Sequence, residues 1–296
     1  MHRRLLAPAL IALALAAGTA RAEEVRLDQG GLTRLANLEL APGKTLRDGV
    51  VLITHGTLAH HRMEIIAALQ ENLLGRGFSS LAHTLTLGES ARRGMYDCGA
   101  THRHRQSDAL PEIGAWVDWL KQRGAERIVL AGHSRGGYQT ARYAAEHDAP
   151  AIRAVVLIAP THGTGLAAEY ARAHGKALAP LLQAAQDALA KDPQALLSAT
   201  DFLYCKGARV SAAAFVDYYR EDPALELTAL LRRSAKPVLV VAAGKDEVVT
   251  GLPERIGPLA DGRRIRLVTV PDTGHFFQDL YGDDLADAVA AFLGGG

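Results

Sequence analysis

The stretch Ile128-Val129-Leu130-Ala131-Gly132-His133-Ser134-Arg135-Gly136-Gly137 decides how this 296-residue chain is read. Its apolar start suits a short strand buried on both faces, and beyond Gly137 the pattern turns helical, carrying Ala141, Tyr143 and Ala144. Between them Gly132 to Gly136 spell Gly-x-Ser-x-Gly in the context of strand, sharp turn and helix. Such a turn holds its serine in a strained conformation, and side chains at 132 or 136 would collide with the neighbouring strand or helix. Ser134 is thereby set at a helix N-terminus, where the backbone favours negative charge.

Outward from this turn the same rhythm recurs. Short β-branched apolar runs at 50–54, 127–131, 154–159, 237–242 and 265–270 predict parallel strands, and helical patterns cover 64–74, 108–123, 137–147 and 285–293. Strand alternating with helix predicts an α/β sheet with right-handed crossovers, opened by an antiparallel strand over 32–40. Between 159 and 237 no strand-like run is read. Leu178, Leu181, Leu182, Ala185 and Leu189 fall at helical spacing, Asp192-Pro193 breaks that helix, and another runs from about 213 to Asp222-Pro223. Residues 161–234 are therefore expected to form a helical cap inserted above the sheet edge, within one domain over 23–296.

A serine hydroxyl is a weak nucleophile without a base, and the base needs an orienting carboxylate. The strand over 238–243 runs into Gly244-Lys245-Asp246-Glu247, and that over 266–270 into Pro271-Asp272-Thr273-Gly274-His275. Asp246, with Glu247 as a rival, and His275 thus follow strand ends, as Ser134 does, at the edge where ligands bind in such sheets. A further loop, His55-Gly56-Thr57-Leu58, follows Thr54. There the Thr57 amide, with Leu58 as the fallback donor, would join the Arg135 amide as an oxyanion hole.

These pieces together, with Val248-Val249 and Phe276-Phe277, resemble the α/β-hydrolase superfamily over nearly the whole chain after the N-terminal segment. The resemblance implies an eight-stranded, mostly parallel sheet, catalysis without a cofactor, and Ser134, Asp246 and His275 as nucleophile, orienting acid and general base. It also places the insertion where capped members carry a helical lid, between the sixth and seventh strands. The expected activity is hydrolysis of an ester or related acyl bond of a small molecule through an acyl-enzyme. Acyl transfer to an alcohol would use the same machinery; a haloperoxidase-like activity and a non-catalytic binding protein are the remaining alternatives.

Composition bounds the rest. Lys and Arg number 33 against 32 Asp and Glu, which argues against polyanion or nucleic-acid binding as the main task. The first 22 residues combine Arg3 and Arg4, an apolar run from Leu5 to about Gly18, and Ala20-Arg21-Ala22, the layout of a secretory signal cut after Ala22. Its loss would leave 30 basic against 32 acidic side chains, in a periplasmic or secreted protein with no stable membrane insertion. Cys98 and Cys205 are then expected to be bridged, stapling an early loop to the cap. Among His55, His60, His61, Arg62, His83, Arg92, Arg93, His102, Arg103, His104 and Arg105, all in loops after early strands, some are candidates to receive an anionic group of the substrate. The pairs His60/His61 and His102/His104 are too sparse to assign a metal site.

Overall fold

The computed structural model describes residues 21–294. The expected signal lies outside the described residues except for Arg21 and Ala22, which open the first strand. In chain order the elements are β1 (Arg21–Gln29), β2 (Leu32–Leu40), β3 (Val50–Thr54), α1 (Glu64–Gly75), β4 (Ser80–Thr84), β5 (Thr101–His102), α2 (Ala109–Gln122), β6 (Ile128–His133), α3 (Arg135–Glu146) and β7 (Ile152–Ile158). They continue with α4 (Leu166–His174), α5 (Leu178–Lys191), β8 (Leu196–Phe202), β9 (Cys205–Ser211), α6 (Ala212–Tyr219), α7 (Leu227–Arg233), β10 (Val238–Ala243), α8 (Leu252–Ile256), β11 (Ile265–Val270) and α9 (Tyr281–Gly294).

Eight strands form one sheet in the order β1-β2-β4-β3-β6-β7-β10-β11. The β1–β2 and β2–β4 pairs are antiparallel and all the others parallel. The central strands are apolar throughout because both faces are covered. Val50 and Leu52 face a core shared with α2, α3, α7 and α8, whereas Val51 and Ile53 face α1 and α9. Two strands escape the sequence pattern. β1 is an edge hairpin strand whose Glu23, Glu24, Arg26 and Asp28 break any apolar run, and β4 carries the buried polar residues Ser80 and His83.

The insertion between β7 and β10 corrects the expectation of an all-helical cap. β8 and β9 form an antiparallel hairpin, and β5 adds parallel to β9, giving a separate three-stranded sheet. Its strands are poor in β-branched residues, so no strand signal stood out; pairing and a common core hold them instead. Phe202, Val210, Phe215 and Tyr170 of the insertion pack with Leu58, Leu85 and Tyr96 from loops of the main sheet. Cys98 and Cys205 are joined by a disulfide, tying those loops to the insertion as expected. No helix among the described residues is long and apolar enough to cross a membrane.

Candidate active site

Ser134 caps the N-terminus of α3 at φ 55° and ψ −123°, and only 6% of it is exposed. Holding a serine in this region costs on the order of 1–3 kcal/mol, so the surroundings must impose it. Its amide donates to Ile158 O at 2.8 Å, and its carbonyl accepts from Tyr138 and Thr161 N–H, both at 3.2 Å. A Cβ on Gly132 would stand 2.6 Å from Thr140 Oγ1 and press into the Gly136 carbonyl; one on Gly136 would stand 2.5 Å from Thr54 O. The two glycines are thus steric requirements of the turn.

The loops after β10 and β11 bring the acid and base together. His275 Nδ1 donates to Asp246 Oδ2 at 2.8 Å, and both side chains are nearly buried. Asp246 Oδ1 accepts from the amides of Val248 and Val249 at 2.8 Å each. Burial opposes ionisation of Asp246, but the hydrogen bonds from His275, Val249 and Val248 outweigh it and hold the carboxyl below its usual range. The rival Glu247 is exposed and makes no contact with His275 among the described residues. No hydrogen bond joins Ser134 Oγ to His275 among the described residues, a looseness common before substrate draws the two groups together. His133, an unassigned position in the sequence motif, holds the backbone of the candidate base. Its Nε2 donates to His275 O at 3.0 Å, and burial, reinforced by the neighbouring His275, pulls its pKa down to about 3, so the ring is neutral.

The loop after β3 is fixed from beneath. His55 Nδ1 donates to Gly56 O at 2.8 Å while its Nε2 accepts from Leu85 N at 3.0 Å, a single neutral tautomer that burial enforces. Gly56 O also accepts from Ala59 N at 3.3 Å, so the Gly56–Thr57 peptide plane is set by its carbonyl and the Thr57 N–H points the opposite way. On the upper side Tyr204 Oη donates to Thr57 O at 2.5 Å, and Arg135 Nε donates to Thr57 Oγ1 at 3.0 Å. Leu58, at φ 53° and buried, has its carbonyl occupied by Tyr96 N–H. Arg92 lies under the loop, donating to Leu85 O, Ala59 O and Gly94 O, with Nη2 3.3 Å from His55 Nε2.

A family model described as alpha/beta hydrolase family matches residues 50–292. The chain belongs to the alpha/beta hydrolase family. Similar solved structures include Est1E from Butyrivibrio proteoclasticus with ferulic acid bound, at 23% identity and TM-score 0.67, covering 92% of this chain and 98% of that one. A dienelactone hydrolase from Anabaena variabilis is similar at 17% identity and TM-score 0.57, covering 93% and 98%. An esterase from Pyrococcus furiosus is similar at 15% identity and TM-score 0.63, covering 93% and 91%. No curated protein matches the sequence.

In this hydrolase a cavity of about 400 Å³ opens beside Ser134, Thr57 and Arg135, roofed by Tyr170, Tyr204 and Tyr219 of the insertion. Burial pushes Tyr170 and Tyr204 up to about 12, so both stay uncharged, with their hydroxyls donating to Asp201 O and Thr57 O. None of the Arg and His residues singled out between 55 and 105 lines this cavity. His61, His83 and His104 are buried on Thr84, Thr54 and Tyr218, and Arg93 pairs with Glu24 at the surface. These four are packing and tethering groups, not placed to receive a substrate anion. Among the described residues no group of three or more His, Cys, Asp and Glu side chains is disposed to hold a metal ion.

Proposed function

We propose that the chain is a serine esterase acting on small acyl esters through Ser134, His275 and Asp246. The observation that carries the reading is the strained Ser134 at a helix N-terminus, on the same sheet edge as a buried imidazole hydrogen-bonded to a carboxylate. In the mechanism His275 Nε2 removes the Ser134 proton as Oγ attacks the ester carbonyl. The amides of Arg135 and Thr57 hold the oxyanion, and His275 then protonates the departing alcohol. Water repeats the sequence on the acyl-enzyme. Asp246 keeps Nδ1 protonated, which leaves Nε2 as the base.

The cavity volume and tyrosine roof suit an aromatic or short aliphatic acyl group. A panel of acetyl, butyryl, octanoyl and feruloyl esters, assayed beside Ser134→Ala, tests the reading. The variant should lose activity by about 10⁴-fold or more while keeping its melting temperature. A fluorophosphonate that labels no residue of the folded wild-type chain, or an S134A variant as active as wild type, would sink it. Product analysis with an added alcohol separates hydrolysis from acyl transfer. We also propose export, supported by the pattern of residues 1–22 and by the pairing of Cys98 with Cys205. Periplasmic or medium fractions should contain a chain starting at Glu23.

A further inference from the structure

At the edge of the sheet opposite Ser134, where the parallel strands begin, lies a groove of about 660 Å³. It is separated from the serine by the length of β6, roughly 20 Å. Among the described residues α1 and α9 cover this face, and beyond their ends a groove opens onto the sheet. The floor is apolar: Val51, Val129, Ala154, Phe78, Phe292 and Leu293. Around it stand five cations, Lys44, Arg127, Arg153, Arg263 and Arg266, against one carboxylate, Asp48. That carboxylate is already engaged by the amide and hydroxyl of Thr45, and none of the five cations forms a salt bridge among the described residues.

Helix ends account for only part of these charges. Lys44 donates to Gly77 O just past the C-terminus of α1, and Arg266 stands against Phe292 in the last turn of α9, whereas Arg127 donates to Asp48 O and Arg153 to Glu126 O. Arg266, on β11, lies 5.5 Å from the Phe292 ring centroid, and its buried Nε has no hydrogen-bond partner. A donor left unsatisfied against an aromatic ring is costly unless an acceptor completes it. The volume falls within the range of small-molecule sites.

We propose that this groove binds an amphipathic anion, a medium-chain fatty carboxylate, with its chain on the apolar floor and its head among Arg153, Arg263 and Arg266. The excess of positive charge among the described lining residues selects an anion, and the floor selects an alkyl tail. The inference is independent of the activity at Ser134.

The test is calorimetric titration of full-length Ser134→Ala protein with dodecanoate, dodecanol and acetate. One saturable dodecanoate site is expected, at least about tenfold tighter than either control, equivalent to about 1.4 kcal/mol. Arg266→Gln should weaken it by about tenfold or more, as should Val129→Trp, which fills the groove. Melting curves check both folds, and Arg153→Gln substitutes for Val129→Trp should that variant fail to fold. In the Ser134-containing chain, R266Q should leave ester turnover unchanged. The proposal is overturned by equal binding of dodecanol, by dodecanoate binding that survives the groove variants, or by binding to anionic vesicles with none to the monomeric acid. It is also overturned if the variants change only the monomer–dimer balance in sedimentation, which would make a second copy the occupant.

Discussion

Arg92 is the residue whose burial most needs a reason. The residue is 6% exposed and its hydrogen bonds among the described residues go to carbonyls and His55, with Glu89 and Glu112 acting on it from farther off, so burial lowers its pKa to about 10 yet leaves it charged at neutral pH. A buried cation without a direct carboxylate partner is costly, and here it ties Ala59 O of the loop that carries Thr57 to Leu85 O of the loop after β4. Arg92→Met is therefore expected to lower kcat by about tenfold or more with KM little changed, and Arg92→Lys to recover part of the loss. A change confined to melting temperature would refute that positioning role. Ser134, Asp246 and His275 were legible because each follows a strand and the motif fixes their order. His133, Arg92 and Tyr204 were not, because their roles rest on contacts such as Tyr204 with Thr57 that join residues distant in sequence.

Among the elements, most strands that the pattern revealed are buried on both faces, such as β3, β6, β7 and β10, while the edge strand β11 was legible from its β-branched run alone. β1 and β8 lie at sheet edges, β4 has only Leu81 and Ala82 as apolar residues between Ser80 and His83-Thr84, and β9 is held by its hairpin partner. The β8–β9 hairpin also carries Tyr204 and Cys205 side by side, so the disulfide to Cys98 anchors the tyrosine that reaches Thr57. Cys98→Ser with Cys205→Ser opens a loop of sequence separation 107. The chain-entropy model then sets the loss of stability at no more than about 4–5 kcal/mol. Alongside the lower melting temperature, kcat toward small esters should fall, as the Tyr204 contact with Thr57 is no longer tethered. Unchanged kcat in the reduced wild-type enzyme would separate the staple from the site.

At the scale of the whole molecule, the histidines make stability depend on acid. Burial pulls His83, His104 and His133 down to about 3 and His61 to about 4, against 6.5 in the unfolded chain. Below pH 6.5 the unfolded state therefore binds more protons, so stability is full above that value and falls with acidification. Each imidazole removes on the order of 2 kcal/mol by about pH 5. Chemical denaturation midpoints should drop steeply from about pH 6 downward, and a flat profile to pH 4.5 would contradict this account. Composition showed twelve histidines but not their depth, which contacts with residues distant in sequence determine: His83 with Thr54, His133 with His275, His61 with Thr84 and His104 with Tyr218.

β1 carries a consequence for the order of events in biogenesis. Arg21 and Ala22 pair with Leu40 and Glu39, so the bond after Ala22 lies inside a hydrogen-bonded strand. A peptidase reads its target as a free extended segment, and a bond already paired to β2 is withheld from it. Cleavage at that bond and completion of the β1–β2 hairpin thus exclude one another in time. Under the proposed export, the chain is to be cut before this edge of the sheet zips, and a mutant that folds too early should accumulate as the uncut precursor.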